Sequence, residues 1–320
     1  MSRYARQMIL PEVGVSGQAR LSDARVLVVG AGGLAAPVLP LLAGAGVGSL
    51  TIIDPDEVAL SNLHRQTLFV EGDCGRPKAE VAAERCQALN SEITISTKNQ
   101  ALTSLNPQHF VSQADVILDC ADSYAASYTL SDTCRALGKP LISASVLGLS
   151  GYVGGFCGGA PSLRAVFPDA PVSGASCATA GVLGPVVGMI GAMQAQMTLS
   201  VILGLDPSPL GQIVQFDART MRSSTFRFND APEPNHHFPF VSVCQLTTDD
   251  LIIELRSPDE APEPIHPKAL RGSPESSRHE PNKRKRLVLC CATGLRAWRA
   301  AEKLQPDWPV EIVLVAASTS

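Results

Sequence analysis

Apolar residues in this chain cluster first into short unbroken runs and then into helical spacing. Residues 26–29 (VLVV) form the first run, which reads as a buried strand. It breaks at Gly30, Gly32 and Gly33 into an apolar segment, 34–45, with helical spacing. Within that segment Pro37 lies near the first turn, whereas Pro40 removes an interior backbone bond and predicts a kink costing about 3 kcal/mol. A second strand, SLTIID, ends in Asp54, and 78–89 is again helical. The alternating run ITISTKN, the apolar run ADVILDC ending beside Asp122 and Ser123, a helical stretch over 128–137 and the run KPLISASVLG follow. Strands alternating with helices of this length predict a mostly parallel, doubly wound sheet whose ligand sits at the strands' carboxyl ends. Gly30, Asp54 and Asp122 all fall at such ends.

From residue 151 the pattern loosens into GYVGGFCGG and then into a Pro/Gly/Ser-rich passage, 160–176, expected to be a mobile crossing loop. A long small-residue helix over 181–205 and two strand-like runs, GQIVQFDA and SSTFRF, complete a unit expected to span 1–228. Residues 229–239, rich in proline and charge, read as a linker. Beyond it, 240–320 holds the runs LIIELR, RLVLCC and VEIVLVAAS and a helix over 295–304, the pattern of a small α/β region. No internal repeat is present.

Composition narrows the function classes. An apolar share of 45% with 18% charged residues suits a globular protein, and a net charge of −4 gives no polyanion-binding signature, so nucleic acid is not expected as a partner. The basic run at 283–286 lies among Pro, Ser and Glu and reads as a solvated loop. Nine cysteines without a CxxC pair read as mostly reduced, with Cys86, Cys120 and Cys134 packed in the core. The beginning of the chain lacks the apolar stretch of a signal peptide. The most apolar segment is interrupted by Gln194 and Gln196, so a buried helix is expected, with no membrane span and a cytoplasmic location.

The chemistry begins with the glycine turn, whose helix-terminal N–H groups favour phosphate, and with Asp54, an acid placed to bind ribose hydroxyls. Ala35 takes the place of the third glycine of a dinucleotide fingerprint. Those features alone fit many nucleotide enzymes. Together with RYARQ near the start, GAGGLA, AGVGSLTIIDPDEV, SNLHRQ, GRPK, DCADS and SCATAGVLGPVVG, they resemble the ThiF/MoeB/HesA family, bacterial relatives of ubiquitin-activating E1 enzymes, over roughly 3–228. The resemblance implies a Rossmann-like, E1-like adenylation fold. It also implies ATP- and Mg2+-dependent adenylylation of the C-terminal glycine of a ubiquitin-like sulfur carrier ending in Gly-Gly. Arg65 and Lys78 match the family's phosphate-contacting positions, and Asp122 its magnesium-binding acid. Asp54 matches the ribose acid, while Gly30, Gly32, Gly33, Ser61, Asn62 and Ser123 fall at nucleotide-contact positions. Arg6 matches an arginine that reaches the partner's nucleotide in a homodimer.

Cys177 aligns with the crossing-loop cysteine that forms a thioester or acyl-persulfide in some relatives; its plain alternative is a bystander on a loop. The tail resembles a rhodanese-like region, shorter than the full fold. Its CATGLR loop, 291–296, would place backbone N–H groups around a thiolate or persulfide on Cys291, with Cys290 buried beside it. A cysteine desulfurase is the implied sulfur donor. Two CxxC pairs that bind structural zinc in many relatives are replaced here by SLRA at 162–165 and APEPNHH at 231–237, so no tetrathiolate zinc is expected. The carrier's pathway, thiamine, molybdopterin or another, has no readable local code. Rival readings are a non-catalytic nucleotide-binding regulator of the same fold and a nicotinamide oxidoreductase; the latter has no use for SNLHRQ followed by GRPK.

Overall fold

The computed structural model describes residues 3–171, 181–272, 286–308 and 310–319. Cys177 lies outside the described residues, as do 283–285 of the basic run.

Five strands, β1 (Arg25–Val29), β2 (Ser49–Ile53), β3 (Thr94–Lys98), β4 (Val116–Asp119) and β5 (Pro140–Leu147), form a parallel sheet in the order β3-β2-β1-β4-β5. Side chains alternate across it. Val26 and Val28 point into one core, with α1 (Gly14–Asp23), α2 (Ala35–Ala45), α3 (Lys78–Leu89) and α7 (Gly184–Leu203). Leu27 and Val29 point into a second core, with α4 (Pro107–Gln113) and α5 (Tyr124–Leu137). Val29 pairs with both Ile53 and Asp119, so the three central strands end level. That register puts Gly30, Asp54 and Cys120 along one rim.

Three antiparallel strands, β6 (Ser150–Cys157), β7 (Gln212–Asp217) and β8 (Arg222–Arg227), extend the sheet to eight. The glycine-rich GYVGGFCGG is thus largely strand, where its composition suggested irregular chain. Its glycines answer to crowding: a Cβ on Gly151 would lie 2.7 Å from the Ser145 carbonyl oxygen, and one on Gly155 2.5 Å from that of Pro209. Helix α2 runs unbroken through Pro40 and ends at Gly46, whose φ of +81° supplies the left-handed cap. The α5 helix starts at Tyr124, earlier than its apolar spacing indicated, because its first turn, entered from Ser123, buries only the small Ala125 and Ala126 and leaves Tyr124 and Ser127 half-buried.

Helix α7 is long and apolar enough to cross a membrane by length and composition, yet half of it is buried against the sheet and α2. Gln194 ties it there, donating to the Asp119 and Ile142 carbonyls at 2.8 and 3.0 Å.

The segment before the crossing loop is not loose over its described part, which corrects the expectation for 160–171. A short helix, α6 (Leu163–Val166), is capped by Ser162. Glu233 accepts hydrogen bonds from the Ser162 N–H (2.8 Å) and hydroxyl (2.6 Å) and pairs with Arg135. Arg164, 4% exposed, forks onto Asp132 at 2.7 and 2.9 Å and donates to the Phe238 carbonyl. SLRA and APEPNHH are therefore joined directly by the two hydrogen bonds from Ser162 to Glu233.

The tail is a second, all-parallel sheet of β9 (Leu251–Glu254), β10 (Leu270–Arg271), β11 (Arg286–Cys291) and β12 (Glu311–Ala316), in the order β10-β9-β11-β12, with α8 (Leu295–Leu304) on one face. It shares the second core: Leu289, Trp298 and Leu314 pack in one cluster with Phe110, Tyr128 and Leu27. The Trp298 ring meets Tyr128 edge-on at 4.6 Å, and the Arg164 guanidinium lies 4.7 Å from the Tyr128 ring centre. Cys86, Cys120 and Cys134 are buried, and the eight described cysteines carry free thiols.

Candidate active site

The site is built where β1, β2 and β4 end. Gly30 turns the chain with φ +93°, and a Cβ there would lie 2.6 Å from the Cys120 carbonyl oxygen, so the turn is possible for glycine alone. At Gly33 a Cβ would lie 2.8 Å from Val187, which holds the start of α7 against the turn. The N-terminus of α2 follows directly, with its dipole and free N–H groups available to an anion.

Asp54, 6% exposed, braces this turn. One carboxylate oxygen accepts from the Ala31 N–H at 2.6 Å and the other from the Asp56 N–H at 2.8 Å. Burial pushes its carboxyl above the ordinary range, while these two bonds and the nearby Lys78 pull the other way. Lys78 opens α3, is 5% exposed and donates from Nζ to Asp56 at 2.7 Å. Ala31, Asp54, Asp56 and Lys78 are thus linked in one chain of contacts. The structure brings the predicted Gly30, Asp54 and Lys78 together through Asp56, which sequence reasoning missed although it stands two residues after Asp54.

The 61–66 segment runs past the start of α7, where a Cβ on Gly184 would lie 2.5 Å from the His64 carbonyl oxygen. Arg65 backs Gly33: its Cγ is 3.6 Å from where a Cβ would stand, and its guanidinium reaches the Ser61 carbonyl (3.4 Å) and His64 (2.9 Å). Ser61 is exposed and Asn62 half-buried. Gln66, the last residue of SNLHRQ, has no role assigned by sequence. It is 4% exposed, its Nε2 approaches Gly32, and its Oε1 is buried without a partner. As an acceptor, that oxygen calls for an N–H or O–H donor, a role a water molecule can fill and a phosphate oxygen cannot.

Asp122 is exposed between β4 and α5, and Ser123 is the residue from which that helix starts. Below them Asp119 is fully enclosed and accepts from the Ser143 hydroxyl (2.8 Å) and the Ala121 N–H (3.2 Å). Its burial raises the carboxyl to about 6. The donor set fits a nucleotide and a hard cation: N–H groups and two cationic side chains for phosphate, an acid for ribose, and an exposed carboxylate, Asp122, for magnesium. Among the described residues no three His, Cys, Asp or Glu side chains converge as a ready-made metal cage.

Arg6 is not part of its own chain's site. It is exposed on an arm fastened to the far end of α2, where Gln7 donates to the Ala45 carbonyl at 2.8 Å and the Tyr4 hydroxyl accepts from Asn90 at 2.8 Å. The 11 residues of α2 separate that arm from the glycine turn by roughly 16 Å. Cys291 is likewise elsewhere, at the end of β11 in the tail.

A parallel sheet with a glycine turn, a ribose-type acid and a helix-borne lysine at its rim, extended by antiparallel strands, defines an E1-like adenylation fold. The model of the ThiF family matches residues 4–240, and the chain belongs to that family. It is 40% identical over 275 residues to the adenylyltransferase and sulfurtransferase MOCS3 of Culex quinquefasciatus, covering 81% of this chain and 63% of that protein. It is 44% identical over 231 residues to the protein of the same name from Aedes aegypti, covering 71% and 52%. The chain thus spans between about half and just under two thirds of the curated relatives it matches. Among solved structures, E. coli MccB superposes with a TM-score of 0.64 at 23% identity, covering 74% of each chain. MccB crystallised with ATP gives 0.63 at 23%, covering 72% and 73%. At that identity the likeness establishes the fold.

Proposed function

We propose that this chain is a cytoplasmic ATP- and magnesium-dependent adenylyltransferase acting on the C-terminal glycine of a ubiquitin-like sulfur carrier, working as a homodimer. One observation carries the reading: a buried lysine at the head of α3 is linked through Asp56 and Asp54 to the Ala31 N–H in a glycine turn. In the reaction a carrier carboxylate oxygen attacks the α-phosphorus of ATP, the bond to the bridging oxygen of the β-phosphate breaks, and pyrophosphate leaves. A carboxylate approaching a polyanion is repelled. Lys78 and Arg65 offset that repulsion and stabilise the charge gathering on the phosphate oxygens. Asp54 holds the ribose while bracing the turn, and Ser61, Asn62 and Ser123 fix the nucleotide's orientation. Asp122 would hold magnesium, which would supply positive charge against the phosphates. Arg6 has no role in its own site in this reading and serves the partner's nucleotide.

The names of the curated relatives support a second activity, sulfur transfer to the activated carboxylate, with residues 1–228 serving adenylation and 240–320 serving sulfur. Cys291 and Cys177 are the cysteines assigned to it, and a cysteine desulfurase is the donor in view. Carrier-dependent exchange of pyrophosphate into ATP tests the primary reading. Lys78→Ala is expected to lower exchange by at least about 100-fold. ATP binding with no exchange for any Gly-Gly carrier would make the chain a nucleotide-binding regulator instead.

A further inference from the structure

The loop 292–294 and the first turn of α8 wrap over the Cys291 thiol, and the residue is 0% exposed. On one side the Ala297 N–H, in that first turn, donates to Sγ at 3.4 Å. On the other stand Ala316, its register partner on β12, and Phe240, which packs so tightly on Gly294 that no Cβ fits there. Both walls belong to the seam with the first sheet. Phe240 and Ala316 face Ala125 and Thr129 of α5 across a cavity of about 20 Å³. Trp298, beside Ala297, stacks edge-on against Tyr128. One turn further along α8, Arg299 Nε donates to the Pro171 carbonyl at 3.2 Å and Glu302 accepts from the Ala170 N–H at 2.6 Å. To uncover Sγ, either the start of α8 or Phe240 must shift, and each shift breaks seam contacts.

We propose that this seam is a latch: docking of α8 against α5 and residues 170–171 keeps Cys291 latent, and its thiol becomes reactive when α8 releases the first domain. The tail's readiness to accept sulfur then depends on the state of the adenylation domain through contacts, with no shared ligand. The inference goes beyond adenylylation and stands whether or not the first domain activates a carrier. A tie internal to the tail supplies the contrast, since Arg271 on β10, two strands away from β11, donates to the Ala261 and Pro262 carbonyls without touching the seam. Cys290 supplies another: it is equally buried but faces the opposite core, beside the Glu254–Arg256 pair.

The test is alkylation of the whole native chain with iodoacetamide, in which a thiolate displaces iodide, followed by digestion and mass mapping of each cysteine. In the wild type, Cys291 is expected to label at least about 100-fold more slowly than the exposed Cys74. The double variant Arg299→Ala/Glu302→Ala cuts the latch without entering the core, and is expected to speed labelling of Cys291 at least about tenfold with Cys290 unchanged. Arg271→Ala is expected to leave the Cys291 rate as it was. Four results overturn the proposal: wild-type Cys291 as reactive as Cys74, no acceleration in the double variant, equal acceleration of Cys290 and Cys291, or Arg271→Ala matching the double variant. Equal acceleration would mean that the tail unfolds instead of undocking.

Discussion

At the scale of single residues, the site's charged groups are fixed before any ligand arrives. Lys78 is paired with Asp56, and Asp54 spends both oxygens on backbone N–H groups, so the turn has its shape in the free protein. Asp119 shows what such enclosure costs. Its carboxyl rises from the ordinary 3.8 to about 6. Between those values the folded chain keeps a proton that the unfolded chain has released, so stability falls as pH rises through the window. At neutral pH the cost is about 3 kcal/mol. Asp119→Asn keeps the shape without the charge. Urea midpoints of the wild type and Asp119→Asn, compared at pH 4.5 and pH 7, are expected to show the variant gaining relative stability at the higher pH. Equal pH dependence in the two proteins would refute this account.

At the scale of elements, the clearest feature is the clasp between α6 and 231–238. Arg164 there satisfies Asp132 and the Phe238 carbonyl and lies over the Tyr128 ring, all from a buried position. Replacing it by alanine strands a partly buried carboxylate and is expected to cost about 2–3 kcal/mol in denaturant unfolding, less than a fully buried pair because Asp132 is partly exposed. EDTA, by contrast, is expected to leave the melting temperature of the wild type unchanged; a drop on chelation would mean that metal helps close this region. The sequence made the regular elements legible wherever burial was two-sided, as in β1, β2 and β4, or amphipathic, as in α3 and α8. It hid β6, whose glycines relieve crowding from Pro209 and Ser145, and it hid the clasp, because Glu233 and Ser162 lie 71 residues apart. Gly30, Asp54 and Lys78 were readable as a site from strand ends and motif. Asp56 and Gln66 were not, since their significance lies in a partner made and a partner lacking.

At the scale of the whole molecule, one core runs from the first sheet into the tail. Both tryptophans, Trp298 and Trp308, belong to the tail, so fluorescence reports on that part while far-UV circular dichroism reports on all of it. Their urea transitions are expected to coincide; a tail transition at clearly lower denaturant would show that the seam is too weak to couple the two sheets. The seam also gives synthesis an order. When the ribosome has made the first 239 residues, Tyr128 and its neighbours on α5 have no tail to cover them, and at roughly 5–20 residues per second the remaining stretch takes several seconds to emerge. During that interval the nascent chain carries an open apolar face, a target for chaperones and for its own copies on adjacent ribosomes.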